Sequence, residues 1–133
     1  MKLGAHEYID GSKGDVGEQL QKLGGAACIL LTAPSSKLIP QLINGLSMLG
    51  KLVVLAATED GLAEIDTTSM IQKGLTISAW PSGQSQDCED TIVFAQTHNV
   101  KCMIEKFKLE EANDALEKMT QGKMRFRGVL IPN

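Results

Sequence analysis

Two short apolar runs separated by one helix-length segment dominate the pattern of the chain. Residues 26–31 (AACILL) and 52–57 (LVVLAA) contain almost no polar side chain, which is typical of strands buried on both faces of a parallel sheet. Between them, regularly spaced leucines lie at Leu38, Leu42, Leu46 and Leu49. This spacing predicts one apolar face of a helix. The pattern therefore predicts a strand–helix–strand unit with a right-handed crossover.

The residues beside this segment indicate where its helix begins and ends. Ser35 and Ser36 are of the type that caps helix N-termini, and Pro40 is tolerated only in a first turn. Gly50 is a residue at which the helix can end. The Ser35-Ser36 pair is also a candidate nucleophile, but no G-x-S-x-G motif surrounds it, so the capping interpretation is favoured.

Alternating strand and helix signals continue on both sides of this unit. Further strands are predicted at 7–9, 75–79, 100–107 and 126–131. Further helices are predicted to begin at Asp15, to run over 67–73, to carry Cys88, Ile92 and Ala95 on one side, and to carry Ala112, Ala115, Leu116 and Met119 on one face. This alternation predicts an α/β fold with a mostly parallel open sheet and helices on both faces.

The composition and net charge of the chain indicate which kinds of binding partner are disfavoured. The chain has 133 residues, 43% of them hydrophobic and 22% charged, with a net charge of −3, as is typical of a globular domain. The slight acidity argues against nucleic acid or an anionic membrane as a partner. No apolar run is long enough to cross a bilayer, and residues 1–10 lack the core of a signal peptide, so we expect a cytoplasmic location.

Neither the cysteines nor the histidines form a metal-binding pattern. Cys28, Cys88 and Cys102 are an odd set at irregular spacing, unlike a disulfide framework or a zinc ribbon. His6 and His98 lie far apart with no matching ligand nearby. We therefore expect packed, reduced thiols and no metal site. No acid–base pair, nucleophilic triad or glycine-rich phosphate loop stands out, so no catalytic residue is predicted.

The ends of the three inner strands are the candidate binding site, because ligands of open parallel sheets bind beyond the carboxyl ends of the strands. The residues at these ends are Thr32, Ala33 and Pro34, then Ala56, Ala57 and Thr58, then Ala79 and Trp80. Small side chains there would let a flat ring approach main-chain N–H and C=O groups. They would equally fit tight turns, and the pattern favours neither interpretation.

A basic cluster surrounds the end of the last predicted helix. It consists of Lys118, Lys123, Arg125 and Arg127. Most of these charges are expected to offset the negative end of the helix dipole or to be solvated. One arginine could instead bind a phosphate, for which a guanidinium is well shaped.

Four segments, in order, resemble the C-terminal part of medium-chain, zinc-type alcohol dehydrogenases. LGAHEYID is similar to the lead-in and third strand of the family's cofactor domain, GKLVVLAA to its fifth strand, and GLTISAWPSG to its sixth strand and loop. FKLEEANDALEKMTQGKMRFRGVLIP resembles the family's ending, in which a strand, a helix and an arginine-bearing strand return to the catalytic domain. Their order and spacing make the resemblance fairly specific.

The resemblance implies a role for each matching position. The nicotinamide half of NAD or NADP would be bordered, mainly through main-chain groups, by the turns at Thr32-Ala33, Ala56-Ala57 and Ala79-Trp80. Arg127 would pair with the pyrophosphate of this nicotinamide dinucleotide. Many family members have a Gly-Ser pair where this chain has Ala79-Trp80, so the indole is a departure from the family pattern.

By the same resemblance, 1–82 is a partial Rossmann-like cofactor-binding domain without its first strands, and 83–133 is a C-terminal helix–strand–helix–strand segment. The family's zinc ligands, proton relay, glycine turn and NAD-versus-NADP selector would all precede Met1. We therefore expect the full-length protein to be an NAD(P)-dependent alcohol dehydrogenase. The isolated chain is expected to contribute cofactor binding without turning over substrate.

Loss of those strands would leave an exposed sheet edge. In the Rossmann order 3-2-1-4-5-6, strands one and two separate the third from the fourth. The strand at 28–31 would then be unpaired on one side, so we expect it either to pair with another chain, giving a homo-oligomer, or to take residues 7–9 as its neighbour. The alternative function is a stand-alone flavodoxin-like module that binds a nucleotide or a protein at the same strand ends.

Overall fold

The computed structural model describes residues 4–58, 60–81 and 83–132. The chain divides into two compact units, Met1–Ser82 and Gly83–Asn133. The interpretation of 1–82 as a cofactor domain and of 83–133 as a C-terminal segment stays a prediction. Among the helices of the described residues, none has both the length and the apolar character needed to cross a membrane.

In its described residues, the first unit combines three parallel strands with three α-helices. In chain order the elements are a 3₁₀ helix Gly11–Lys13, α1 Val16–Lys22, β1 Ala26–Leu31, α2 Leu38–Asn44, β2 Leu46–Val54, α3 Thr67–Lys73 and β3 Thr76–Ala79. The strands form one sheet in the order β1-β2-β3, and both pairs are parallel. The predicted α/β fold with a Rossmann-like parallel sheet is confirmed.

The core of the first unit joins α2 to all three strands. Its buried side chains are Leu31, Ile39, Leu42, Ile43, Leu46, Leu52 and Leu75. Helix α1 packs closely on α2 because Gly17 has no side chain: a Cβ at this position would lie only 2.2 Å from the carbonyl oxygen of Gln41. The removal of these apolar groups from water is the main force that holds the unit together.

The helix predicted between the first two strands is wrong in its second half. Helix α2 ends at Asn44 and β2 begins at Leu46, rather than after Gly50. Leu46 pairs with Ala26 and is fully buried, whereas Leu49 has a φ of 59° and is 79% exposed. The leucine spacing misleads because Leu46 reaches the core from a strand, while Leu49 lies where the register between β1 and β2 shifts.

The start of α2 also differs from the prediction. Lys37 occupies the N-cap position without a side-chain hydrogen bond, and Ser35 and Ser36 donate instead to the carboxylate of Asp60. A capping serine would accept an N–H with its side-chain oxygen, whereas both of these groups act as donors, and α2 has no side-chain cap. Pro40 lies in the first turn of α2, as predicted.

The ends of α1 and α3 agree with the sequence prediction. Asp15 caps α1 by accepting a hydrogen bond from the backbone N–H of Glu18 at 2.8 Å. Helix α3 is followed by Gly74, whose φ of 62° is in the left-handed region that glycine adopts without strain. Both features depend on residues close in sequence, which is why a local pattern finds them.

Strand β1 lies at the edge of the described sheet, and its burial differs from the prediction. Leu31 lies in the core and Ile29 packs against it, whereas Cys28 and Leu30 are exposed, Leu30 by 62%. Such alternation is typical of a strand covered on one face only. The expectation that this apolar run is buried on both faces is therefore wrong.

Residues 7–9 form no strand, so the predicted placement of this segment beside β1 is wrong. Tyr8 is 74% exposed, which means that the segment buries little apolar surface that could hold it against the sheet. Pairing of the β1 edge with another chain stays a prediction.

In its described residues, the second unit combines two parallel strands with two α-helices. Its elements are α4 Ser85–Thr97, β4 Ile104–Lys108, a 3₁₀ helix Leu109–Glu111, α5 Ala112–Thr120 and β5 Arg127–Ile131. Strands β4 and β5 are parallel neighbours. The strand predicted at 100–107 thus begins only at Ile104, although Met103 already accepts hydrogen bonds from the N–H groups of Phe126 and Arg127.

The three cysteines are free thiols, and all three are exposed. The expectation that they are packed is wrong for a reason that differs between positions. Cys28 lies on the uncovered face of β1, and Cys88 lies on α4, which has no buried residue. On the apolar side predicted for α4, Ile92 is likewise exposed, and Ala95 is half-buried.

Candidate functional site

A cleft lies at the carboxyl ends of β2 and β3 in the first unit. It has a volume of about 750 Å³ and is lined by Ile39, Val54, Leu55, Ala56, Ala57, Thr58, Ala79, Trp80 and Pro81. Clefts of this size accept small molecules and cofactors. The structure thus brings together the predicted site residues of two separate turns, Ala56, Ala57, Thr58, Ala79 and Trp80, whose role in binding stays a prediction.

The backbone explains why these two strand ends meet. Strands β2 and β3 are paired in parallel register, with Val54 opposite Ala79. The N–H of Trp80 donates to the carbonyl of Val54 at 3.1 Å, which extends the pairing beyond the strand. On the other side of β2, the N–H of Leu55 donates to the carbonyl of Leu31 at 2.9 Å. Strands β2 and β3 therefore end at the same edge of the sheet, and the cleft lies at this edge.

The wall of the cleft is mainly apolar. Ala56, Ala57 and Ala79 present only methyl groups, so a flat ligand could approach the main chain closely. Trp80 is 68% exposed, and an indole in this position can stack on a ligand ring. None of the lining residues that the structure describes is charged, so an ionic group of a ligand would have to be held by residues outside this wall.

The turn after β1 does not line this cleft. Thr32, Ala33 and Pro34 follow β1 directly, and none of them is among the described lining residues. In the sheet order β1-β2-β3, β2 separates this turn from β3, so the end of β1 lies a further strand spacing away. The structure does not bring this turn into the same cleft, and its predicted role in binding stays a prediction.

Two residues of this region were missed by the sequence reasoning. Ile39 of α2 lines the cleft, and Asp60 binds the segment that precedes α2. The Ser36 N–H, foremost among several donors, lowers the pKa of Asp60 to about 2. No local signal could have identified Asp60, because its partners lie on a loop that only the folded sheet brings beside it.

Arg127 lies in the second unit, at the start of β5, and is exposed. It lines a cleft of about 320 Å³ together with Ala112, Ala115, Leu116, Met119, Met124, Phe126, Gly128 and Leu130. The four residues predicted to share one face of α5 thus line one cleft. The role of Arg127 as a pyrophosphate ligand stays a prediction.

Another member of the basic cluster has a partner that the sequence did not indicate. The ammonium group of Lys118 pairs with Glu105, which also accepts a hydrogen bond from the backbone N–H of Arg125 at 2.7 Å. Both contacts, that of Lys118 foremost, lower the pKa of Glu105. Lys118 also lies in the last turn of α5, the position that the expected offset of the helix dipole requires.

Within residues 4–58, 60–81 and 83–132, no three His, Cys, Asp or Glu side chains are grouped so that they could hold a metal ion. The donor set that a zinc ion needs, three or four such ligands at about 2 Å, is therefore not met by the described part of the chain.

Parallel strands with helical crossovers, and a cleft at the strand ends, define the class of open α/β folds. No family model matches the chain. Curated relatives do: the chain is 47% identical over 129 residues to "Alcohol dehydrogenase patD" of Penicillium expansum, a match that covers 97% of this chain and 37% of that protein. It is 45% identical to "Alcohol dehydrogenase notN" of an Aspergillus species, covering 97% and 38%.

Solved structures give the same result. A cinnamyl alcohol dehydrogenase of Sorghum bicolor has a TM-score of 0.81 at 26% identity, over 97% of this chain and 36% of that one. The alcohol dehydrogenase of Aeropyrum pernix shares the fold, with a TM-score of 0.84 at 23% identity. The chain is thus homologous to alcohol dehydrogenases along nearly its whole length, as the resemblance indicated, and it spans a little over a third of the length of the relatives that it matches.

Proposed function

We propose that this chain supplies part of the nicotinamide-binding wall of an NAD(P)-dependent alcohol dehydrogenase, at the cleft formed by the ends of β2 and β3. One observation carries the proposal: residues predicted from two separate turns line a single cleft. The homology to alcohol dehydrogenases supports a nicotinamide dinucleotide as the ligand. It also favours this function over a stand-alone flavodoxin-like module.

The residues of the wall suit a flat, amphipathic ring. The small side chains of Ala56, Ala57 and Ala79 leave room for the ring. Nearby main-chain N–H and C=O groups can form hydrogen bonds with the carboxamide group of the nicotinamide. Ile39 and Leu55 supply apolar surface that excludes water from one side. The bound cofactor would supply the chemistry, hydride transfer between an alcohol and an aldehyde, and the protein orients the ring.

Two further parts of the proposal rest on the resemblance rather than on the cleft. Arg127 is proposed to pair with the cofactor's pyrophosphate, for which its guanidinium is chemically suited. Zinc and the proton relay are proposed to come from residues other than the described ones, since these do not fit a metal site. The chain alone is therefore proposed to bind cofactor without turnover.

The test is a titration with NADH and, separately, NADPH, followed by the emission of Trp80, the only tryptophan of the chain. Ala57→Leu fills the cleft from an exposed position, and Ala27→Leu adds the same atoms at an exposed position of β1 outside the cleft. We expect Ala57→Leu to raise Kd about tenfold, the loss of roughly one good contact, and Ala27→Leu to leave it unchanged. A folded wild-type chain without any response, or equal Kd values for wild type and Ala57→Leu, would contradict the proposal.

A further inference from the structure

Asp60 joins the loops that follow β1 and β2. One carboxylate oxygen accepts the backbone N–H of Ser36 at 2.7 Å, and the other accepts the hydroxyl of Ser35 at 2.9 Å. Ser36 is only 4% exposed, so its N–H has little access to water and needs this acceptor. The two loops are thus fastened to each other by two hydrogen bonds to a charged group, a stronger type than neutral hydrogen bonds.

Ser36 also forms a hydrogen bond with a residue that lines the cleft. The carbonyl of Ser36 accepts the N–H of Ile39 at 3.1 Å, at the start of α2. Ile39 is 8% exposed and lines the cleft, while Thr58, two residues before Asp60, lines it from the β2 side. Asp60 is therefore linked to Ile39 by hydrogen bonds through Ser36 and to Thr58 along the chain, and these two lining residues belong to different elements.

We propose that Asp60 is a positioning residue of the cleft: its carboxylate holds the start of α2, and with it Ile39, at a fixed place relative to the turn after β2. The proposal rests on the proposed function in so far as the cleft is the cofactor site. Asp60 itself is not a lining residue, so it would act on the ligand only through the walls that it holds.

The carboxylate of Asp60 is ionised near neutral pH. The N–H of Ser36 lowers the pKa of Asp60 to about 2, so neutralisation by protonation does not interrupt the contact near neutral pH. This supports a permanent structural tie rather than a switch.

The first arm of the test measures the tie without any ligand. Amide hydrogen exchange measured by NMR gives the protection of the Ser36 N–H from solvent. The chemical shifts of the Ile39 methyl groups and of the Trp80 indole N–H detect a change in the geometry of the cleft. We expect Asp60→Ala to speed exchange of the Ser36 N–H about tenfold or more and to shift the Ile39 signals. Asp60→Asn keeps an oxygen acceptor and should restore much of the protection.

The matched control is Asp66→Ala. Asp66 accepts the backbone N–H of Thr68 at 3.0 Å at the start of α3, the same type of bond, and it does not line the cleft. This substitution should leave the Ser36 exchange rate and the Ile39 signals unchanged. Unchanged Ser36 exchange in Asp60→Ala, or equal Ile39 shifts in Asp60→Ala and Asp66→Ala, would overturn the proposal.

The second arm measures NADH binding by the folded full chain and its variants. We expect Asp60→Ala to raise Kd by about three- to tenfold, which corresponds to a loss of about one kcal/mol of binding free energy. We expect Asp66→Ala to leave Kd unchanged. A wild-type chain that fails to bind NADH would count against the proposed function, and the first arm would still decide the role of Asp60. A wild type that binds, with an unchanged Kd in Asp60→Ala, would overturn the positioning role.

Discussion

The two units differ in how much apolar surface they bury. The first buries a connected set of leucines and isoleucines from β1, α2, β2 and the residue that precedes β3, whereas the buried hydrophobic residues in the described part of the second are Ala115 and Met124. Helix α4 has a regular length and a capping box at Gln84, yet it has no buried residue. Helix α4 therefore has local helix signals but no buried face, and a helix of 13 residues without packing is only marginally stable.

The largest expected effect is on the core of the first unit. Leu52 is fully buried at the centre of the sheet, so Leu52→Ala should lower the free energy of unfolding by about 2–5 kcal/mol, the usual range for such a cavity. Met124→Ala in the second unit should cost less, because few buried groups surround it. Urea unfolding followed by circular dichroism measures both, and Leu62→Ala, at a 99% exposed position, is the control. Equal losses for Leu52→Ala and Met124→Ala would contradict the comparison.

A substitution at the α1–α2 contact tests the packing within the first unit. Alanine normally favours a helix over glycine by about 1 kcal/mol, so propensity alone predicts that Gly17→Ala stabilises the chain. A Cβ at this position would lie 2.2 Å from a backbone oxygen of Gln41, and a backbone atom cannot move aside without separating the helices. We therefore expect a net loss of roughly 1–3 kcal/mol. A rise in melting temperature would show that the two helices do not pack this closely.

The open edge of β1 is the next point of contrast, and we propose that it makes the chain a homo-oligomer. Leu30 is 62% exposed on this strand, so Leu30→Lys should weaken edge pairing with little effect on the monomer. Ile71→Lys, at an 82% exposed position of α3, adds the same charge away from the edge. Sedimentation velocity should show concentration-dependent association in the wild type and in Ile71→Lys, and less in Leu30→Lys. A wild type that stays monomeric at all concentrations would refute the edge interface.

The smallest expected effect is on acid stability. Each unit contains a carboxylate with a lowered pKa, Asp60 in the first and Glu105 in the second. A carboxyl whose pKa is lower in the folded than in the unfolded chain stabilises the fold above its ordinary pKa, and this contribution is lost as the pH falls towards the folded value. For Asp60 the window runs from about pH 3.8 down to about 2.

Between these pH values the wild type should lose more stability than Asp60→Asn, which has no carboxylate to protonate at this position. Melting curves at pH 7, 4, 3 and 2 measure the difference. If the wild type and Asp60→Asn lose stability in parallel below pH 4, the negative charge of Asp60 contributes nothing to folding stability.

Local chemistry explains which predictions could be made from the sequence. The cap at Asp15 and the helix end at Gly74 depend on neighbours a few residues away, and the strand ends that form the cleft follow from the apolar runs. The end of α2 was missed because leucine spacing cannot distinguish a helix that continues from a strand that begins at Leu46. The ties made by Asp60 and Glu105 join segments far apart in sequence, and no local pattern reports them.

The most direct test of the central claim is to map NADH onto the wild-type chain by NMR. The cleft at the ends of β2 and β3 should show saturable shifts in the amide signals of Ala56, Ala57, Thr58 and Trp80, together with the Ile39 methyl groups. Shifts confined to other parts of the chain, or no shifts in a chain whose spectrum shows that it is folded, would contradict the assignment of this cleft as the nicotinamide site.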